Sequence, residues 1–470
     1  MKTLNWREAA VVLIICALGA IRVSAQSGVS FTTLVNFDYS SNGANPEAPL
    51  IQATDGNLYG TAGDGGANGW GTIFKITPGG TLTTIYNFCS LAGCTDGALP
   101  LSSLVEGADG NFYGTTNEGG NYDQGTVFKI TPGGKLATLY SFNDCSVSGC
   151  LGGYYPYAGL LLATDGNFYG TTGYGGEYGG GIFFEVTPAG AVMPIASLSG
   201  GERPVAPLIE GSDGNFYGTM EYGGDCCGSV FKISAAGAQT TLHTFCSQKD
   251  CPDGAYPNAG LLQAADGKLY GMTADAGFNS AGTIYEISTT GVLTVLYRFH
   301  VAGGVNPLGA LIQATDGNLY GTTSEGGTSH LGTLFSFTLS GTYTALHSFS
   351  VADGGTPYAP LIQDTNGNFY GTTEGEGSNN AGTVYELSVG LGPFVETQPT
   401  SGTVGSSVKI LGTNLTGATG VTFNGTAATF KVLSSSLIST TVPAGATTGP
   451  VQLTKPHGTV TSNVNFQVLP

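Results

Sequence analysis

The sequence contains few charged residues, and basic residues are the scarcest of them. Only 10% of the 470 residues are charged, and 14 Lys and Arg stand against 32 Asp and Glu, which gives a net charge of −18. Such a small share of Glu, Lys and Arg argues against a helical protein. The acidic balance argues against binding to nucleic acid or to an anionic membrane through bulk charge.

Glycine and aromatic residues are abundant instead. The 78 glycines do not recur at every third position, which excludes collagen. A hydrophobic content of 41%, with 23 Tyr and 23 Phe, is too high for a disordered chain. These features together indicate a large, secreted all-β protein.

The N-terminus predicts export. Two basic residues precede an apolar run over residues 9–21, which is too short to span a bilayer, and small residues then form a cleavage site. We therefore expect residues 1–25 to be a signal peptide and the mature chain to be secreted or held at the cell surface, with no transmembrane segment. A lipoprotein signal at Cys16 is the alternative, but the bulky Ile15 before it disfavours that signal.

Internal repeats dominate the rest of the sequence. The motif Asp-Gly-Asn, followed by an apolar residue and Tyr-Gly, recurs with small variations at spacings of 48 to 56 residues. Its seven copies start at Asp55, Asp109, Asp165, Asp213, Asp266, Asp316 and Asn366. A Gly-x-x-Pro motif begins twelve residues before each copy. Four short strand patterns per repeat, joined by turn residues, predict a seven-bladed β-propeller.

The two ends of the repeat region predict how the ring closes. The seventh repeat supplies only three strands, the last at Thr383–Ser388, whereas Ser30–Phe37 matches the fourth-strand pattern of the other repeats. We expect Ser30–Phe37 to pair with Thr383–Ser388, because this leaves no open blade edge.

Residues 30–390, with the outline PLIQATDGNLYGTT followed by GGTVFKITPGG, resemble the GloVer (Gloeo/Verruco) tandem repeat. Seven copies make the resemblance specific. It implies an exported bacterial protein with a propeller-like fold, and it supplies no established catalytic residues.

The composition shifts after Pro393 towards Thr, Ser, Val and Gly. Residues 394–470, with PTSGTVGSSVKILGTNLTGATGVTFNG, resemble an IPT/TIG domain, which implies an immunoglobulin-like β-sandwich. Related domains in intracellular proteins contact DNA. Because this segment carries only three lysines, we expect it to be a spacer or an adhesive module, with no nucleic-acid partner.

The strand order places all long loops on one face of the propeller. The Asp-Gly turns and the second turn of each repeat share one face, and the other face receives the second-to-third strand loops and the connections between blades. Loops on a rigid scaffold commonly carry binding sites, so we expect the function on this long-loop face.

Cysteines occur in these loops. Removing the signal peptide leaves eight of the nine cysteines, and an even number in an exported chain indicates disulfides. Three pairs with four intervening residues lie in the longest inter-blade loops and are expected to be disulfides: Cys89 with Cys94, Cys145 with Cys150, and Cys246 with Cys251. A metal site is the alternative, but there are only five His and no Cys-x-x-Cys pair. Adjacent Cys226 and Cys227 form either a vicinal disulfide, which would be a candidate ligand contact, or a reduced pair.

Acidic residues recur in the second-to-third strand loops. The candidate ligand-binding acids are Glu118, Glu177, Glu221, Asp225, Glu325 and Glu374, accompanied by Asp64, Asp275 and Glu376. An acidic collar could bind a cation or a sugar, but a solvated acidic surface explains the same residues, since no single loop has the acid density of a calcium loop.

The repeated Asp and Tyr have structural explanations. We expect Asp-Gly to supply the positive φ angles of a type I′ turn, and the Tyr that follows to pack between blades.

Two hypotheses for function remain. The first is a non-enzymatic binding or adhesion scaffold for an extracellular glycan or protein, without cofactor or metal. The alternative is a secreted carbohydrate-active enzyme, a glycoside hydrolase or lyase, that uses loop carboxylates. A catalytic pair would be restricted to one or two blades, whereas these acids recur around the ring, which favours the first hypothesis.

Overall fold

A computed structural model describes residues 28–142, 152–223, 226–275 and 281–470. Within these ranges the chain is all-β apart from three short 3₁₀ turns at Ala92–Cys94, Val301–Gly303 and Leu415–Gly417. No helix in the described part of the chain is long and apolar enough to cross a membrane. The predicted signal peptide and the pair Cys145 and Cys150 lie outside the described residues.

The repeats form the seven blades of a propeller, each a four-stranded antiparallel sheet. The N-terminal strand is β1 (Ser30–Asn36). Blade 1 contains β2 (Ile51–Gln52), β3 (Leu58–Ala62), β4 (Thr72–Ile76) and β5 (Leu82–Asn87). Blade 2 contains β6 (Val105–Glu106), β7 (Phe112–Thr116), β8 (Thr126–Ile130) and β9 (Leu136–Ser141). Blade 3 contains β10 (Leu161–Leu162), β11 (Phe168–Thr171), β12 (Ile182–Val186) and β13 (Val192–Ser197).

The later blades repeat this order. Blade 4 contains β14 (Ile209–Glu210), β15 (Phe216–Met220), β16 (Ser229–Ile233) and β17 (Gln239–Thr244). Blade 5 contains β18 (Leu262–Gln263), β19 (Leu269–Thr273), β20 (Thr283–Ile287) and β21 (Leu293–Arg298). Blade 6 contains β22 (Ile312–Gln313), β23 (Leu319–Thr323), β24 (Thr333–Phe337) and β25 (Tyr343–Ser348). Blade 7 contains β26 (Ile362–Gln363), β27 (Phe369–Thr373) and β28 (Thr383–Ser388).

The ring closes as the sequence predicts. Strand β1 pairs antiparallel with β28, from Ser30 opposite Ser388 to Asn36 opposite Thr383, and completes blade 7. Phe37, which follows β1, is fully buried, and its ring lies 5.0 Å from that of Phe74 in blade 1. The first and last parts of the propeller chain are therefore held together by both backbone and core contacts.

Apolar packing lies between the blades. A typical core cluster combines Tyr59, Ile73 and Phe88 of blade 1 with Phe112 and Phe128 of blade 2. The glycine of the Tyr-Gly motif is required by packing within the blade: a Cβ on Gly60 would lie 2.6 Å from the Phe74 ring. The prediction that the repeated Tyr packs between blades is confirmed by the 4.3 Å separation of the Tyr59 and Phe112 rings.

The expected type I′ turn is wrong. In the first repeat only Gly56 has a positive φ, of 82°, and Asp55 does not. Because the Ala53 amide donates to the Asn57 carbonyl, the turn has three residues and ends on a left-handed glycine, as in a type I turn with a bulge. Asp55 instead accepts hydrogen bonds from the Asn57 amide at 3.0 Å and the Tyr59 hydroxyl at 2.9 Å. The repeated aspartate is thus a structural acceptor.

Residues after the propeller form a continuous nine-stranded sheet. Its strands are β29 (Val395–Gln398), β30 (Ser401–Thr403), β31 (Ser407–Gly412), β32 (Gly420–Phe423), β33 (Thr426–Ala428), β34 (Phe430–Val432), β35 (Leu437–Thr441), β36 (Gly449–Lys455) and β37 (Gly458–Leu469). The order is β33-β32-β36-β37-β29-β31-β35-β34, with β30 paired to β37. It has a hydrophobic core of its own around Ile410, Phe423 and Phe466.

This C-terminal sheet contacts the Asp-Gly turns of blades 1 and 2 and the corresponding Asn-Gly turn of blade 7. The Ser436 hydroxyl donates to the Thr54 carbonyl at 3.0 Å, and the Lys409 ammonium donates to the Ala108 carbonyl at 3.3 Å. The hydroxyls of Thr365 and Thr413 are 3.0 Å apart. Contacts of the C-terminal sheet therefore fall on the face opposite the long loops.

Candidate functional site

The Gly-x-x-Pro segments line the axis of the ring on the long-loop face. The residue before each proline has a positive φ, between 52° and 57°, at Asn45, Leu99, Tyr155, Arg203, Tyr256, Asn306 and Thr356. Such angles are uncommon for residues other than glycine, and backbone hydrogen bonds hold the segment in place. In blade 1, Ala44 and Asp64 exchange backbone bonds at 2.8 and 3.0 Å, and the Asn45 amide donates to the Ala381 carbonyl of blade 7.

A central cavity of about 470 Å³ opens between these segments. The residue directly after each proline contributes to its wall: Glu47, Leu101, Tyr157, Val205, Asn258, Leu308 and Tyr358. The residue two positions further on contributes to its floor: Pro49, Ser103, Gly159, Pro207, Gly260, Ala310 and Pro360. The wall differs from blade to blade, whereas the floor is made only of small residues and proline.

One charged pair lies at the blade 4 side of the cavity. The Arg203 guanidinium is 3.0 Å from a carboxylate oxygen of Glu221. It also lies 5.1 Å from the ring centroid of Tyr157 and 5.5 Å from that of Tyr222, which are cation–π distances. The Arg203 Nε and the Asn258 Oδ1 are buried and have no hydrogen-bond partner among the described residues.

Carboxyl groups lie at the opposite side, where blades 7 and 1 meet. Burial, together with the charges of Glu374 and Asp64, raises the pKa of Glu47 to about 7. Burial and the charge of Asp64 also raise the pKa of Glu374. Asp64 accepts a hydrogen bond from the Asn45 side chain at 2.8 Å. Glu47 is therefore partly protonated near neutral pH and can donate as well as accept hydrogen bonds.

A cluster of tyrosines adjoins the charged pair on blades 3 to 5. We define the tyrosine cluster as Tyr154, Tyr155, Tyr157, Tyr174, Tyr222 and Tyr256. The rings of Tyr154 and Tyr174 are 5.5 Å apart, and those of Tyr157 and Tyr174 are 6.4 Å apart. All six are partly solvent-exposed. Since Tyr157 also lines the cavity, the cluster continues the cavity wall onto the loop surface.

The structure places the acids predicted from the sequence in different environments. Glu221 lines the cavity and is paired with Arg203, and Glu374 lies near Glu47. Burial and the charge of Asp123 raise the pKa of half-buried Glu118. Glu177 and Glu325 are exposed, and Asp225 lies outside the described residues.

The cysteines of blade 4 lie close together. Disulfides join Cys89 to Cys94, Cys226 to Cys227, and Cys246 to Cys251. The Sγ atoms of Cys226, Cys227 and Cys246 are within 4.8 Å of one another. All three sulfur atoms are engaged in disulfides, and each disulfide joins residues of a single loop.

Sequence reasoning missed most of the cavity. The predicted site consisted of acids that recur around the ring. It therefore did not include four residues of the cavity, Glu47, Tyr157, Arg203 and Asn258. The signal was available in the aligned Gly-x-x-Pro segments. The residues next to the proline vary between blades, with the only Arg of this set at 203 and the only Glu at 47.

Comparisons with solved structures concern the fold. A fungal alcohol oxidase of the AA5 family, solved in complex with copper, is 11% identical over 95% of this chain and 100% of that chain, with a TM-score of 0.51. The periplasmic gluconolactonase of Pseudomonas aeruginosa is 18% identical over 68% of this chain and 88% of its own, with a TM-score of 0.43. A gluconolactonase from Xanthomonas campestris is 13% identical over 77% and 89%, with a TM-score of 0.36. Only the first of these three similarities supports the fold, and none of them shows an activity for this chain.

Sequence comparison assigns the family. No curated protein matches the chain at a significant level. The Gloeobacter/Verrucomicrobia repeat matches residues 17–156, 95–264 and 226–431, which together span most of the sequence. The chain therefore belongs to the Gloeobacter/Verrucomicrobia repeat family.

Proposed function

We propose that this is an exported bacterial binding protein that recognises an extracellular glycan, or alternatively a protein, through the long-loop face of its propeller. Residues 1–25 are its signal peptide, residues 30–390 the propeller, and residues 394–470 an IPT/TIG module with an immunoglobulin-like fold. The mature protein is secreted or displayed at the cell surface. The binding residues lie at the central cavity and the tyrosine cluster.

The position of these features carries the proposal. The C-terminal sheet contacts the turn face, through residues such as Ser436 and Lys409, and no such contact is found on the long-loop face of the described chain. The long-loop face therefore presents its cavity and tyrosines to solvent. A concave site with a few polar groups is the usual form of a ligand site.

Among ligands, a glycan fits the exposed side chains better than a protein does. Tyrosine rings offer flat apolar faces for sugar rings, and their hydroxyls can bind sugar hydroxyls. Arg203, Glu221 and Asn258 add donors and acceptors at the cavity. A large protein interface would need a contiguous apolar centre, whereas these tyrosines are interleaved with polar groups.

The C-terminal module would serve as a stalk. Attached to the turn face, it would hold the long-loop face away from whatever surface carries the protein. This arrangement agrees with a spacer role. The small number of basic residues in the segment agrees with the same role, because it disfavours binding to nucleic acid.

A glycan array with the purified mature protein tests the proposal, and product analysis of every bound glycan tests turnover. We expect binding without cleavage. Tyr174→Ala should weaken binding at least tenfold, and Tyr122→Ala, which removes an exposed tyrosine outside the cluster, should not. Equal binding by both variants and the wild type would place the site elsewhere.

The enzyme alternative has one specific observation in its favour. The pKa of Glu47, raised to about 7, suits a general acid, and Glu374 and Asp64 are nearby carboxyls. If product analysis shows sugar cleavage that Glu47→Gln abolishes while binding persists, the enzyme hypothesis replaces the binding hypothesis.

A further inference from the structure

We propose that the central cavity binds a single uncharged sugar residue at the end of a glycan chain, with the Arg203–Glu221 pair hydrogen-bonded to its hydroxyls. This inference rests on the proposed glycan-binding function and specifies how the ligand is recognised. It is carried by the shape of the cavity, its polar groups and its charge.

The shape favours a chain end. Among the described residues, the cavity lining extends from the loop face as far as the floor ring of small residues and proline, and it includes none of the inner-strand residues beyond that ring. Neighbouring blades are in contact there, since a Cβ on Gly159 would lie 2.3 Å from the Ser103 hydroxyl. A volume of about 470 Å³ lies at the small end of the range for ligand pockets. A site of this size, lined from the loop face to the floor ring, fits the end of a glycan better than a continuous chain.

The polar groups suit a sugar with neighbouring hydroxyls. Arg203 offers donors and Glu221 offers acceptors side by side, and adjacent hydroxyls can accept from one and donate to the other. Contacts with the Tyr157 and Tyr222 rings and the ion pair hold the guanidinium in place before a ligand arrives. Such preorganisation lowers the entropic cost of binding. The Asn258 carbonyl oxygen, which has no partner among the described residues, provides a further acceptor.

The charge of the cavity disfavours acidic sugars. Among the described residues of its lining, Arg203 is the only basic one, and Glu221 already neutralises it. On the opposite wall, Glu47 lies close enough to Glu374 and Asp64 for their charges to interact. A carboxylate on the ligand would meet repulsion from these groups without a free cation to offset it. A neutral sugar avoids that repulsion and can bind the protonated form of Glu47.

The test is competition calorimetry against a glycan identified on the array. The competitors are free glucose, galactose, mannose and N-acetylglucosamine, and the uronic acids of the first two. We expect at least one neutral monosaccharide to displace the glycan and its uronic acid to be at least tenfold weaker. Asn258→Ala and Arg203→Lys should each weaken the monosaccharide at least fivefold, whereas Tyr122→Ala, at an exposed position outside the cavity and the tyrosine cluster, should leave it unchanged.

The outcomes separate the inference from the proposed function. If a glycan binds but no monosaccharide competes, or if a uronic acid binds more tightly than its neutral sugar, the terminal-residue inference is overturned and the binding function stands. If both cavity variants are folded and bind as the wild type does, the inference is again overturned. Absence of binding to any glycan contradicts the proposed function itself.

Discussion

Ring closure by the N-terminal strand can be tested with a single substitution, Phe37→Ala. Phe37 occupies in blade 7 the place that Phe88 occupies in blade 1. Both side chains are fully buried, and each ring packs edge-on against an aromatic ring of the next blade, at 5.0 Å from Phe74 and 5.3 Å from Phe128. If β1 is an integral strand of the closed ring, the two positions should be energetically equivalent.

The magnitude follows from this burial. Truncating a buried Phe to Ala costs about 3–5 kcal/mol, which includes the cavity left behind. We therefore expect Phe37→Ala and Phe88→Ala to lower the free energy of unfolding by about 3–5 kcal/mol each. Thr32→Ala, at an exposed position of β1, should change it by less than about 0.5 kcal/mol.

The assay is urea denaturation followed by tyrosine fluorescence and by circular dichroism, which should give coincident transitions if the ring unfolds as one unit. The reasoning is refuted if Phe88→Ala costs several kcal/mol and Phe37→Ala less than about 1 kcal/mol. That result would mean that the ring is stable without its N-terminal strand.

Two further predictions concern acid groups and cysteines. Burial raises the pKa of Glu396 to about 7 and that of Asp364 to about 6, with their neighbouring carboxylates adding to both shifts. Because these folded-state values exceed the unfolded ones, the contribution of these two groups to stability should be greatest near pH 4 and fall as the pH rises towards 7, by about 3 kcal/mol from Glu396 alone. Urea midpoints at pH 4.5, 6 and 8 measure this, and Glu396→Gln should flatten the slope; an unchanged slope contradicts the assignment. Non-reducing peptide mapping should find Cys226 joined to Cys227, and a cross-link from either to Cys246 would show that the loops of blade 4 are paired differently.

Much of the fold could be predicted because the residues of each repeat determine its turns and strands locally. The Asp-Gly turns and the alternating apolar residues specify antiparallel strands, and seven copies with a displaced fourth strand specify a closed ring. The predicted turn type was wrong because the dipeptide Asp-Gly occurs in both two-residue and three-residue hairpin loops. The hydrogen bonds from Asn57 and Tyr59 to Asp55, which accompany the longer loop, are not evident from the dipeptide.

The candidate site was harder to predict, for a physical reason. Residues at the axis are contributed one by one from separate blades, so their proximity depends on the geometry of the whole ring. Arg203 and Glu221 are 18 positions apart in sequence, and Glu47 belongs to another blade. A search for residues common to all repeats selects those that build the blade. The site instead uses positions where the repeats differ.

The measurement that tests the central claim most directly is a glycan array of the wild type beside Leu308→Trp. Leu308 lies in the cavity wall, so an indole at this position narrows the cavity while the residues of the charged pair and the tyrosine cluster are not substituted. With an unchanged circular dichroism spectrum, this variant should lose the glycans that the wild type binds. If the folded variant binds the same glycans with the same affinity, the central cavity is not the binding site.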